Sequence, residues 1–213
     1  MKGKLIVLEG IDGCGKTTQI NHLSKWLPNS GLMPRSTKLH ITREPGGTPL
    51  GVSLRELLLH PPGNQLPTKL TELLLYTADR AQHLSEVIKP LINQGDWVIS
   101  DRLSGSTLAY QGYGRGLNHD IINLLEDIAL QDFNPDLTFW LDVSITKSLE
   151  RRGGKCEDRI EAEGSEFLKK VSSGFSKIAT ERGWIRISAD LKSSLVSQQI
   201  EKELKTFLCN DVA

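Results

Sequence analysis

The chain has 213 residues, and its 26 basic and 26 acidic side chains cancel to a formal net charge of zero. That length supports one sizeable core, hence a single domain over residues 1–213, and the charge balance removes the footprint of a general nucleic-acid binder. Three scattered cysteines, Cys14, Cys156 and Cys209, suit a reducing cytoplasm better than a disulfide framework or a zinc site, and no apolar stretch approaches the ~18 residues of a membrane span.

Met1-Lys2-Gly3-Lys4 leads directly into Leu5-Ile6-Val7-Leu8, so no leader peptide is expected. The run from Leu5 to Leu8 is short, branched and without alternation, as a strand buried on both faces should be. Similar runs at Lys38 to Thr42, Trp97 to Ser100, Leu137 to Leu141 and Trp184 to Ile187 predict four more strands. Helices are expected between them: Gln19 to Leu27, Leu50 to Leu59, Thr68 to Lys89, Asp120 to Leu130, Ile145 to Arg151, Glu166 to Thr180 and Leu191 to Leu208. Pro90 should end the third, whose apolar stripe reads Leu70, Leu73, Leu74, Ala81, Leu84 and Ile88. Alternating strands and helices imply a parallel sheet covered on both faces. Two stretches read as loops, Gln111 to Asn118 with its alternating glycines, and Arg151 to Glu163 with Gly153-Gly154.

The chemistry begins at the first strand's end. Gly10-Ile11-Asp12-Gly13-Cys14-Gly15-Lys16-Thr17-Thr18 places Gly-x-x-x-x-Gly-Lys-Thr directly between a strand and a helix. Glycines there let successive N–H groups turn inward, and the helix adds its unpaired amides, so the loop cradles the phosphates of a nucleotide. Lys16 should reach the β- and γ-phosphates, and the Thr17 hydroxyl should ligate magnesium. Cys14 reads as a small filler or as a thiol sensitised by the helix terminus. The guanine-reading and switch segments of a GTPase are absent, and a motor or helicase would be longer and more basic. Transfer of the γ-phosphoryl group to a small acceptor leads.

Three segments face the carboxyl ends of the strands, where open α/β sheets bind ligands. Thr42-Arg43-Glu44-Pro45-Gly46-Gly47-Thr48 is good turn chemistry, yet it sets Arg43 and Glu44 facing the phosphate loop, with a cis Glu44-Pro45 bond expected. On the third helix Tyr76, Arg80 and His83 share a stripe, either an exposed stack or a platform for a flat base. Asp101 ends its strand where an acid can meet magnesium, and Arg102 beside it can bind an acceptor phosphate. Ser106, Thr107, Tyr110 and Gln111 follow as polar groups for base or sugar.

Taken together, "LEGIDGCGKTT", "TREPGGT", "LLLYTADRAQH", "SDRLSGSTLAYQG" and "EDRIE" resemble the thymidylate kinase family in order and interval, over roughly residues 4 to 190. The resemblance implies a P-loop NTPase fold, an α/β structure with a five-stranded parallel sheet, helices on both faces and a short lid at about residues 151–163. It implies transfer of the ATP γ-phosphoryl group to thymidine monophosphate (dTMP) with magnesium, in a homodimer without nucleic-acid or membrane partners. By the same resemblance Asp12 meets the region of the acceptor's 3′-hydroxyl and orients Arg102, which holds the acceptor phosphate. Tyr76, where the family usually has Phe, would stack on thymine; Arg80 would bind a thymine carbonyl, with Thr107 and Gln111 near the remaining base edge.

Phosphoryl transfer needs positive charge on the transferring group. The glycine loop carries no Arg, so the charge falls to the basic run Arg151, Arg152, Lys155 and Arg159, of which Arg152 and Arg159 are the expected fingers. Two rivals stay open: a deoxynucleoside kinase using Glu44 as base on a 5′-hydroxyl, and a nucleotide-binding protein without turnover.

Overall fold

The computed structural model describes residues 2–63, 66–153, 160 and 163–210. Five strands form one parallel sheet in the order β2-β3-β1-β4-β5: β1 (Leu5–Glu9), β2 (Leu39–Arg43), β3 (Trp97–Asp101), β4 (Leu137–Asp142) and β5 (Ile185–Ser188). All five match the expected runs within a residue at each end. The central strand is buried along its whole length: Ile6 and Leu8 enter one apolar cluster, Leu5 and Val7 the other on the opposite face. That explains why the run lacks alternation. The strand order reverses at β1, which pairs with β3 on one side and β4 on the other, so the crevice beyond its carboxyl end is the natural ligand site.

The helices are α1 (Lys16–Trp26), α2 (Pro49–Leu59), α3 (Lys69–His83), α4 (Lys89–Asn93), α5 (Ser104–Thr107), α6 (His119–Leu130), α7 (Ile145–Arg152), α8 (Gly164–Glu181) and α9 (Ser193–Asn210). Thr48, Thr68, Asn118 and Ser144 cap α2, α3, α6 and α7 through their side-chain oxygens.

Three expectations need correction. Pro90 does not end the third helix: a π-helical turn, Leu84–Ile88, joins α3 to α4 and lets the chain stay helical through the proline, since the wider turn relieves the clash a proline ring makes with the preceding turn. The stretch from Gln111 to Asn118 is a loop only in its second half, at 115–118, because a π-helical run, Leu108–Gly114, continues α5 and is buried from Leu108 to Gly112. Its glycines serve close packing: a Cβ on Gly114 would lie 2.6 Å from the Phe167 ring of α8. The apolar stripe of α3 is also only partly inward, with Leu73, Leu84 and Ile88 buried but Leu70 and Leu74 about half exposed.

Candidate active site

At the end of β1 the chain turns through Gly10 (φ 143°), Gly13 (φ 77°) and Gly15 (φ 101°), backbone angles that favour glycine, and enters α1 at Lys16. A Cβ at Gly13 would fall 2.6 Å from the Ser148 carbonyl oxygen and 3.2 Å from Arg152 Cγ, so α7 packs flush on the loop. Ser148 Oγ donates to the Asp12 carbonyl oxygen at 2.7 Å and tightens that contact. Lys16 is buried, its ammonium donating to the carbonyls of Gly10 at 3.1 Å and Ile11 at 3.3 Å. Thr17 and Thr18 are exposed in the first turn of α1. Cys14 is 2 % exposed, and burial pushes its thiol up from the usual value despite the charge of Lys16; it is the small filler, not a sensitised thiol.

Beside the loop lies a cleft with about 540 Å³ of empty space. Of the residues expected to meet an acceptor, Asp12, Glu44, Pro45, Tyr76, Arg80, Arg102, Ser106, Thr107, Tyr110 and Gln111 all line it. Arg43 does not: it ends β2 as an exposed side chain, and the strand's alternation turns Glu44, not Arg43, inward. The Glu44-Pro45 bond is cis. Arg80 and His83 are not an exposed stack; both are buried. Arg80 donates through Nε to Glu44 Oε2 at 2.9 Å, and through Nη2 to the Leu103 carbonyl at 3.2 Å and Thr107 Oγ1 at 2.8 Å. The other Glu44 oxygen lies 3.0 Å from His83 Nδ1. A fixed guanidinium thus stands on the cleft wall one helical turn from a half-buried Tyr76 on the same face of α3.

The loop and the cleft meet at Arg102. Its backbone sits at φ 73°, a left-handed conformation costly for a residue with a Cβ. The side chain is held from four directions: Nη1 donates to the Gly10 carbonyl at 2.9 Å and Ser106 Oγ at 2.8 Å, while Nη2 donates to Asp12 Oδ1 at 2.5 Å and Tyr110 Oη at 3.4 Å. Tyr110 Oη in turn donates to Asp12 Oδ2 at 2.7 Å. Burial works against the Asp12 charge, but Arg102 and Lys16 outweigh it and hold the carboxyl well below the usual range. One oxygen of Asp101, Oδ1, is buried with no hydrogen-bond partner among the described residues.

The whole chain can now be set beside known proteins. The model of the family described as thymidylate kinase matches residues 8–200. A thymidylate kinase of Prochlorococcus marinus (strain MIT 9303) is 59 % identical over 205 residues, spanning 96 % of this chain and 95 % of that protein. One from Synechococcus sp. (strain CC9605) is 58 % identical over 208 residues, spanning 98 % and 100 %. The chain belongs to the thymidylate kinase family. Its fold agrees with the crystal structure of thymidylate kinase from Ehrlichia chaffeensis, at a TM-score of 0.77 and 33 % identity over 96 % of this chain and all of that one. Family membership makes it an ATP-dependent nucleoside-monophosphate kinase with a P-loop fold, and it removes the binding-protein and nucleoside-kinase rivals. The structure agrees about Glu44, whose carboxylate is tied into a buried pair with Arg80 instead of standing open as a base.

Of the two expected fingers, Arg152 closes α7 against Gly13, whereas Arg159, like Lys155, lies outside the described residues. Sequence reasoning missed four features of this kinase. Arg55, on α2, lines the cleft and donates to the Pro45 carbonyl at 3.2 Å; no spacing singles it out. Ile160 lines it too. Glu9, fully buried at the end of β1, accepts from the Leu103 and Ser106 amides and from Ser106 Oγ at 2.9, 3.1 and 2.6 Å; an acid closing an apolar strand was the available signal. A second, open hollow with about 760 Å³ of empty space lies on the far side of the loop, between Thr18, Lys147, Arg151 and the turn from Ala189 to Ser193. Arg151 spans it, donating to the carbonyls of Cys14 at 3.4 Å and Ala189 at 2.7 Å.

Proposed function

We propose that the chain carries out its family's reaction, transfer of the ATP γ-phosphoryl group to dTMP with release of thymidine diphosphate and ADP, through a fixed division of labour. The nucleoside of ATP occupies the cavity spanned by Arg151, and its phosphates run along the glycine loop toward Lys16. The acceptor lies in the cleft, base against Tyr76 and Arg80, phosphate on Arg102. The observation that carries this reading is that the glycine loop borders both cavities: Asp12 lines the acceptor cleft, where it grips Arg102, and Cys14 and Gly15 line the other. Donor and acceptor phosphates must therefore converge at that point.

The acceptor's phosphate oxygen is already a competent nucleophile, so the protein need only position it and neutralise charge. Asp12 and Tyr110 aim Arg102, Lys16 neutralises the departing oxygens, and Arg152, packed over Gly13, acts as the finger, with Arg159 in reserve. Magnesium fits the residues present: Asp101 offers an orphaned buried oxygen and Thr17 an exposed hydroxyl. Among the described residues no three His, Cys, Asp or Glu side chains form a metal cluster, which suits an ion usually held by phosphates, waters and one or two protein groups. When bound, it would neutralise negative charge on the nucleotide's phosphates.

Among the described residues no helix is long and apolar enough to cross a membrane. Cys14 and Cys209 are free thiols, which supports a cytoplasmic setting. The neighbouring helices α2, α3 and α6 turn Leu50, Leu70, Leu74, Leu124 and Ile128 to solvent, 47–61 % exposed; exposed apolar side chains on three adjoining helices support pairing with a second copy. ADP release with ATP and magnesium, compared for dTMP, deoxyuridine monophosphate (dUMP), thymidine and no acceptor, tests the reaction. Fast turnover with dTMP is expected; turnover with thymidine but not the monophosphate would overturn it.

A further inference from the structure

Gln111 sits in the π-helical run after α5, 2 % exposed, and lines the acceptor cleft beside Arg80. A glutamine amide can show a binding site either its donor or its acceptor, and the partner of its other half decides which. Here Nε2 donates to Glu72 Oε1 at 2.7 Å. A carboxylate only accepts, so the nitrogen must face Glu72 and the amide oxygen the other way. Glu72 comes from the first turn of α3, is 1 % exposed, and is not part of the cleft wall. Arg115 holds it through Nε to Oε1 and Nη2 to Oε2, both at 3.3 Å, and itself lies over the Phe167 ring at 5.1 Å while donating to Glu163. The buried charge is therefore matched and immobile.

We infer that Glu72 is the positioning residue for base choice: by locking Gln111 with its oxygen toward the cleft, it makes the cleft read a pyrimidine with N3–H and a 4-oxo group and refuse a 4-amino pyrimidine. This rests on the thymidylate reading above. Arg80, pinned by Glu44, Leu103 and Thr107, supplies the donor for the 4-oxo group, and Gln111 Oε1 supplies the acceptor for the adjacent ring N–H. A cytosine presents the reverse pattern, a ring acceptor and an exocyclic donor, against both. The device is indifferent to the 5-methyl group, because thymine and uracil share the edge it reads.

Steady-state kcat/KM for dTMP, dUMP and deoxycytidine monophosphate (dCMP) on the full-length enzyme tests it, with the wild type, Glu72→Gln, Gln111→Met and the double variant. In Glu72→Gln the amide at 72 can donate as well as accept, freeing Gln111 to turn. Rates with dTMP and dUMP should fall together by about tenfold, mostly through KM, and the dTMP-to-dCMP ratio should fall by about tenfold to a hundredfold. Adding Glu72→Gln to Gln111→Met should leave that ratio unchanged, since the lock then has nothing to hold. An unchanged ratio in Glu72→Gln overturns the inference, as does a fall that persists in the Gln111→Met background. A wild-type enzyme that accepts dCMP as readily as dUMP overturns it without any variant. Failure of the wild type to phosphorylate dTMP would instead strike the underlying reading, so the two failures are distinct.

Discussion

Arg102 is placed in a left-handed backbone conformation at φ 73°, and this separates its chemical role from its structural cost. Compare Arg102→Ala with Arg102→Gly. Both remove the guanidinium proposed to grip the acceptor phosphate; charge-assisted hydrogen bonds of that kind are worth about 1.5–3 kcal/mol each. For a two-point grip, kcat/KM for dTMP should fall about 10²- to 10⁴-fold in both variants. Both also leave Asp12 without the neighbour that does most to keep it ionised, although at 30 % side-chain exposure it retains access to water. The two variants differ only in the backbone: Ala keeps a Cβ in a region that penalises it by about 1–2 kcal/mol, whereas Gly adopts it freely. Part of that difference is returned because Gly also loosens the unfolded chain, leaving about 1 kcal/mol, or roughly 2–4 °C in a domain of this size. Thermal unfolding and initial-rate assays on both proteins make the check. An Ala variant with unchanged acceptor affinity and rate refutes the phosphate role; a Gly variant no more stable than the Ala variant refutes the strain.

Three further outcomes are expected. Arg152→Ala should lower kcat more than dTMP affinity, because a finger acts on charge that develops in the transition state; a rise in KM at unchanged kcat would reassign it to ground-state binding. Asp79, 1 % exposed and accepting from the Gly46 amide at 3.0 Å, has its carboxyl pushed up from 3.8 to about 6, by burial first and then by Glu44, against the opposing charges of His83 and Arg80. Its folded-state value lies above the unfolded one, so its contribution is full below pH 3.8 and is lost as pH rises through about 6, on the order of 2–3 kcal/mol. The melting temperature of Asp79→Asn relative to wild type should therefore climb between pH 4 and pH 7, and a difference that stays flat or declines over that range would contradict it. On the proposed pairing of two copies, Ile128→Glu, on an α6 side chain that is 61 % exposed, should leave the fold intact but halve the sedimenting mass; a variant that sediments like wild type would remove α6 from the proposed pairing face.

How much of this was legible beforehand follows from where each side chain sits. Strand ends were readable, because a glycine loop after a buried strand, Asp101 closing β3 and Glu44 after β2 are fixed by one-dimensional neighbours: the backbone direction leaves few places for the next side chain to go. Arg43 is the instructive failure. Strand alternation allows only one of two adjacent residues to face inward, and composition alone does not say whether Arg43 or Glu44 takes that place; the buried partners Arg80 and His83, supplied by α3, decide it. The same limit hid the helical contributions. Leu70 and Leu74 are apolar at helical spacing and would be core residues in an isolated chain, yet they point to solvent, while the charged Glu72, Asp79 and Arg80 of the same helix are buried. Helix periodicity identifies a stripe but not its partner, and here α3 is wedged between a polar cleft and the outward face that α2 and α6 share. The buried stripe is mixed: Glu72, Asp79 and Arg80 share it with Leu73, while Leu70 and Leu74 lie on the outward face. A helix of this kind, with ionisable groups buried beside Leu73 while Leu70 and Leu74 stay outward, is itself a legible signature once the sheet is known: charges are buried at such cost only where partners such as Glu44, Thr107 and Gln111 already wait to satisfy them.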